Sequence, residues 1–166
     1  MELARHWSEV KRVVGQGQRS SIHCAIASVS PDGTPHVTPV GTVFLRDDLT
    51  GYYFDQYTSS LAQNLDLNPN LCLTAVNTGS WFWLKSLWSG RFGSPPGVRL
   101  YGTAGPLRAA TQEELQGIQE RVKPTNWLRG SRLLWSDFRN VRDIAFTAFR
   151  PVSYPKMMEG LWRADA

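Results

Sequence analysis

Three hydroxyl residues in a row, Thr58, Ser59 and Ser60, stand directly ahead of the apolar run that begins at Leu61 and Ala62. Hydroxyls at a helix start have two uses. They cap the free N–H groups of the first turn, or together with those groups they hold an anion such as a phosphate. Upstream, Thr38, Val40, Thr42, Phe44 and Arg46 alternate with Val37, Pro39, Gly41, Val43 and Leu45, so one extended strand would present two hydroxyls and a guanidinium on a single face. If that face meets the hydroxyl turn, a phosphate there would receive hydroxyl bonds, N–H bonds and a charge-assisted bond from Arg46. If it does not, Ser59 and Ser60 are plain caps and Arg46 is a solvated strand end.

Other chemistries find less support. His6, His23 and His36 have no metal-ligand spacing, and no zinc-protease, nucleophile-elbow or P-loop motif occurs. His23 and His36 flank a hairpin and read as a cross-strand pair. The carboxylate pairs Asp47-Asp48 and Glu113-Glu114 fall in a turn and in the first turn of a helix, where capping and dipole effects explain them. Cys24 and Cys72 lie far apart in strand-like runs, which reads as small core residues in a reducing, cytoplasmic setting. The opening residues lack a signal-peptide core, and no apolar run approaches the roughly 18 residues a membrane span needs, so a soluble protein is expected.

The net charge of +4 is modest, yet no Asp or Glu occurs between Asp66 and Glu113, while Lys85, Arg91, Arg99 and Arg108 do. That stretch either steers an anionic ligand or is a hairpin that happens to lack acids. Within it Trp81, Phe82, Trp83, Trp88 and Phe92 interleave with cations, a pattern that can grip single-stranded nucleic acid, but no nucleic-acid motif accompanies it and none is expected to bind.

The elements that must position these residues follow from periodicity. Leu3, Trp7, Val10 and Val14 predict a helix over residues 2–14 that ends near Gly15 and Gly17. Strands are predicted over 22–29, 36–46, 52–56, 71–77, 98–107 and 141–149, with helices over 58–67 and 111–123. Thr111 and Glu114 form a capping box, and Pro124 closes that helix. Residues 78–97, heavy in Trp, Gly and Pro, predict a long loop acting as a lid or wall. Pro39 cannot donate to a ladder, so the 36–46 strand is expected at a sheet edge with a local break near Gly41 that leaves backbone groups free.

The order of these pieces carries a resemblance. A Pro31-Asp32-Gly33-x-Pro35 hairpin, a third strand, Ser59-Ser60-Leu61-Ala62-Gln63-Asn64-Leu65, and Asn68-Pro69 leading into a fourth strand resemble the flavin-binding split barrel of the pyridoxamine 5'-phosphate oxidase-like family. The likeness runs from 22 to 76 and continues through 98–108, where Arg99-Leu100-Tyr101-Gly102-Thr103-Ala104 looks like the next barrel strand. It implies a mainly β chain with flanking α: one domain over residues 1–166, a six-stranded antiparallel split β-barrel with its core at 22–108, working as a homodimer with FMN at the subunit interface. By that resemblance Thr38, Pro39, Val40, Gly41 and Thr42 pass beside the isoalloxazine ring. Phe54, Asp55, Gln56, Thr58, Ser59, Ser60 and Leu61 line the rest of the cofactor, with Arg46 as a phosphate cation. Trp88 and Arg91 of the tryptophan-rich segment stand near a small-molecule substrate.

Departures from the family pattern narrow the expected activity. Many members carry Ser-Arg-Lys-Ala where this chain has Ser59-Ser60-Leu61-Ala62, so the usual phosphate cations are missing, and the deazaflavin F420 loses even more from that change. The Arg-Pro-x-x-Ser-x-x-Gly signature of true pyridoxamine phosphate oxidases is replaced by Lys123-Pro124-Thr125-Asn126-Trp127-Leu128-Arg129-Gly130. The reading is FMN-dependent redox transfer to an unidentified small substrate, without an obligatory catalytic side chain, since the cofactor carries such chemistry. A flavin store or sensor, or a haem- or F420-binding relative, remains the alternative; haem would draw its axial ligand from the three histidines, the cysteines or the methionines.

Overall fold

The computed structural model describes residues 2–56, 58–125 and 137–162. Helix α1 spans Leu3–Ser21, and its apolar stripe of Leu3, Trp7, Val10, Val13 and Val14 is buried. It does not stop at the two glycines. Gly17 lies so close to strand β5 (Asn70–Val76) that a Cβ there would come within 2.9 Å of the Val76 nitrogen. A glycine that reads as a helix stop is instead the point of closest helix–sheet approach. The helix ends at Ile22, so the first strand begins later than the expected residue 22. Ile22 takes a left-handed φ of 69°, a conformation that costs a residue other than glycine about 1–2 kcal/mol.

The remaining strands are β1 (Cys24–Val29), β2 (Pro35–Val40), β3 (Val43–Leu45), β4 (Thr50–Phe54), β6 (Gly97–Ala109) and β7 (Asn140–Pro151). All pair antiparallel in one seven-stranded sheet with the order β2-β1-β5-β6-β7-β4-β3. The expected single strand over 36–46 is therefore two strands, and the expected six become seven. The break falls at Gly41 and Thr42, just past Pro39, and it is larger than a bulge: β2 and β3 sit at opposite edges of the sheet although only those two residues separate them. The sheet curls so that both edges return to this link, which is what a split barrel requires. Pro39 lies exposed on edge strand β2, where its missing N–H costs no ladder bond. The ladder pairs His36 with Ser28 and begins at Cys24, so the expected His23–His36 pair does not form.

Helix α2 (Ser59–Leu67) connects β4 to β5 and is held on β1 by a buried bond from the Asn64 amide to the Ser28 hydroxyl, 3.1 Å. Residues 78–97, expected as a loop, contain helix α3 (Ser80–Ser89), closed by Gly90 at φ 67°. One face of α3 makes the helix possible: Phe82 and Trp83 pack on Phe92, Trp83 also meets Tyr154, and the Trp83 indole donates to the Asn77 carbonyl at 2.7 Å. The opposite face leaves Trp81 75% and Trp88 91% exposed.

Helix α4 (Gln112–Val122) opens with the capping box read from Thr111 and Glu114. It covers a second small core of Phe44, Tyr52, Phe54 and Ile118, in which the Phe44 and Tyr52 rings stack at 5.0 Å. Cys24 is buried in the main core, where burial pushes its thiol up to about 12, as suits a residue that only packs. No described helix is long and apolar enough to cross a membrane.

Candidate functional site

The Thr42 hydroxyl is buried and donates to the Phe54 carbonyl at 3.3 Å. That bond joins two of the predicted segments: the link after β2 meets the end of β4, from which Asp55, Gln56 and the start of α2 continue. Thr38, Pro39 and Val40 lie on β2 leading into this corner, with Val40 buried and Pro39 exposed.

At the start of α2 the hydroxyls divide. Thr58 does not cap the helix; its hydroxyl donates to the Asp55 carboxylate. Ser59 and Ser60 are exposed and Leu61 points into the core. Asp55 in turn faces Arg142 of β7 at 3.3 Å, with side-chain exposures of 5% and 2%. The same guanidinium reaches Asp66 near the end of α2 at 2.9 Å and the Gly105 carbonyl at 3.1 Å. One buried arginine thus ties both ends of the turn and helix to the sheet. Gln56 completes the corner: its Oε1 is buried and receives no hydrogen bond from any described residue. A buried acceptor without a donor is costly, by about 1–3 kcal/mol.

Arg46 is not brought to this turn. The alternation that aligned it with Thr38 and Thr42 is lost where the chain changes edges at Gly41 and Thr42. It stands at the Thr50 end of β4, about 13 Å from the other end at about 3.3 Å per residue. There its guanidinium meets Glu114 at 2.8 Å and Asp143 at 2.9 Å and covers the Tyr52 ring at 4.7 Å. Arg108 binds the same two carboxylates, at 2.7 Å to Glu114 and 2.5 Å to Asp143. The Arg108 guanidinium first, and Arg46 after it, hold both carboxyls below the usual range. Trp88 and Arg91 do not reach the corner; they project from α3 and from the residue after its Gly90 cap.

The backbone groups freed at the link are not all free. The Gly41 and Val43 carbonyls accept from the Gln18 amide at 3.2 and 3.0 Å and from the Arg121 guanidinium at 3.4 and 2.7 Å, while Arg121 also covers the Phe44 ring at 3.5 Å. Sequence reasoning missed both side chains. The signal was present: Gln18 falls four residues after Val14 on the buried stripe, and Arg121 three after Ile118, each a polar residue on an inward face. Between α1, the link and α4 lies a cleft of about 420 Å³ that includes Gly41 and Thr42. Thr58, Ser59, Ser60 and Leu61 do not line it.

Solved structures share this architecture. An FMN-binding protein from Syntrophomonas wolfei aligns over 90% of this chain and 90% of its own with a TM-score of 0.61 at 11% identity. HupZ from Group A Streptococcus aligns over 87% and 92% with a TM-score of 0.57 at 16% identity. HutZ from Vibrio cholerae, described as a haem storage protein, aligns over 86% and 94% with a TM-score of 0.53 at 12% identity. At these identities the likeness is one of fold. No curated protein matches the chain. The family profile described as pyridoxamine 5'-phosphate oxidase matches residues 16–145. Of the departure noted at 123–130, positions 126–130 lie outside the described residues. With the profile spanning the link, the hydroxyl turn and most of the sheet, the chain belongs to the pyridoxamine 5'-phosphate oxidase-like split-barrel family.

Proposed function

We propose that this protein is a cytoplasmic FMN-binding flavoprotein that works as a homodimer and transfers reducing equivalents to a small molecule other than a B6 vitamer. The observation that carries this reading is Gln56 Oε1, a buried acceptor awaiting a donor in the segment where the family's flavin is expected. The residues present fit the group. Its imide N–H would supply the donor that Oε1 lacks. Its phosphate would take the exposed hydroxyls of Ser59 and Ser60 and the first N–H groups of α2, which the Thr58 side chain leaves uncapped. FMN would supply the redox chemistry; the chain's part is to fix the corner through Arg142 and Thr42 and to exclude water.

Without the family's Arg-Lys pair, and with Arg46 and Arg142 already paired to carboxylates, a further phosphate cation would come from Lys85, Arg91 or the partner subunit. The exposed face of α3 with Trp88, and Arg91 just after the helix, are assigned to the partner's pocket as its substrate wall. Haem is the weaker reading. His6 packs its ring against Phe149 and Trp162.

Fluorescence titration tests the proposal. FMN is expected to bind about ten-fold or more tightly than riboflavin, the worth of one charged hydrogen bond. Gln56→Leu is expected to weaken both while leaving the fold at least as stable. Equal affinities would remove the phosphate site, and no quenching by either would remove the flavin.

A further inference from the structure

Ile22 carries two costs that a glycine would avoid. It occupies the left-handed region where helix ends place glycine, and its β-branched side chain is 79% exposed. Both are incurred at the rim of the 420 Å³ cleft. Ile118 and Val122 of α4 also line it, with Gly41 and Thr42 of the link; Ile118 is almost fully buried. Arg19 shares the rim, exposed, and takes part in no ion pair among the described residues. The other polar side chains of the lining are committed: Gln18 and Arg121 to the Gly41 and Val43 carbonyls, and Thr42 to the Phe54 carbonyl. What the cleft offers a visitor is therefore the apolar surface of Ile22 and Val122 beside one available guanidinium.

We infer that this cleft binds a small organic anion with an apolar body, a carboxylate on an aromatic or branched frame. The carboxylate pairs with Arg19 and the frame lies against Ile22 and Val122. A ligand there covers the exposed isoleucine, which gives the strained rim a use that the fold alone does not. The volume accommodates a bicyclic frame and falls in the range of small-molecule sites. That such a ligand would be the substrate rests on the flavin reading, because the cleft adjoins the flavin segments through Gly41 and Thr42; that the cleft binds it does not.

Calorimetric titration of the full chain with 2-naphthoate and its neutral isostere 2-naphthamide, with and without FMN, tests the inference. Naphthoate is expected to bind about ten-fold or more tightly than the amide. Arg19→Gln should bring naphthoate down to the level of the amide and leave the amide unchanged. Ile22→Gly should raise the thermal midpoint by relieving the rim while weakening both ligands, a combination that a purely structural residue would not produce. Equal binding of the two probes, unchanged binding in Ile22→Gly, or displacement of naphthoate by FMN would each overturn the proposal, the last by making the cleft part of the flavin site. A protein that binds naphthoate here but no FMN keeps this inference and loses the flavin reading; the reverse result loses this inference alone.

Discussion

Arg142→Met tests the physical basis of the candidate corner most directly. Methionine keeps the length and apolar stem of the side chain within the sheet, where Arg142 stands opposite Tyr53, and removes only the guanidinium. The two carboxylates it serves differ in exposure, and that sets the magnitude. Asp66 is 61% exposed and will be hydrated when its partner goes, so its loss is worth about 0–1 kcal/mol. Asp55 is 5% exposed and cannot be. Removing one member of a buried pair costs about 3–5 kcal/mol, because the remaining charge is stranded. For a domain whose total stability is about 5–15 kcal/mol, that is about a fifth or more of it. Urea unfolding followed by tryptophan fluorescence should show this loss. Asp55→Asn in the Arg142→Met background should recover more than half, since asparagine removes the stranded charge and still accepts from the Thr58 hydroxyl. A loss below about 1 kcal/mol for Arg142→Met, or no recovery in the double variant, would refute the idea that this buried pair fixes the turn.

Three further outcomes are expected. Gly17→Ala should destabilise by about 1–3 kcal/mol in thermal melts despite alanine's better helix propensity, because its Cβ would sit 2.9 Å from the Val76 nitrogen. Thr111→Ala should cost about 1 kcal/mol in urea unfolding through the lost N-cap bond to the Glu114 amide. The native carboxyls of Glu114 and Asp143 lie below their unfolded values of about 4.3 and 3.9. Their stabilisation is therefore complete above those values and is lost as pH falls through the lower native ones. Arg108→Ala should flatten the acid limb of a stability-versus-pH curve, and an unchanged limb would show that the cluster is not its source.

Much of this arrangement was legible in the residues, and what was not has physical causes. The capping box at Thr111 and Glu114 and the edge proline at Pro39 are local signals, and local signals transfer. Gly17 was misread because a glycine marks either a stop or a close approach, and only the partner strand decides between them. Helix α3 was missed because its support comes from Phe92 and Tyr154, the latter far along the chain. Arg46 was misplaced because alternation holds only within one strand, and the chain leaves that strand at Gly41. The orphaned acceptor of Gln56 has no sequence signature; it exists only once the fold has buried it.

The strand order also constrains how the chain can be made. Strands β1 and β2, and strands β3 and β4, each pair with a sequence neighbour, so both hairpins can form early from the amino-terminal third. Strand β7 is different: it lies between β6 and β4 and joins the β2-β1-β5-β6 part of the sheet to the β4-β3 hairpin. Until it emerges during synthesis, β4 and β6 both present open edges, and β6 is the longest strand of the sheet at 13 residues. Such edges pair readily with other copies. Nascent chains stalled before Asn140 are therefore the species most exposed to aggregation, and the cell's protection of this protein must act in the interval before its last strand appears.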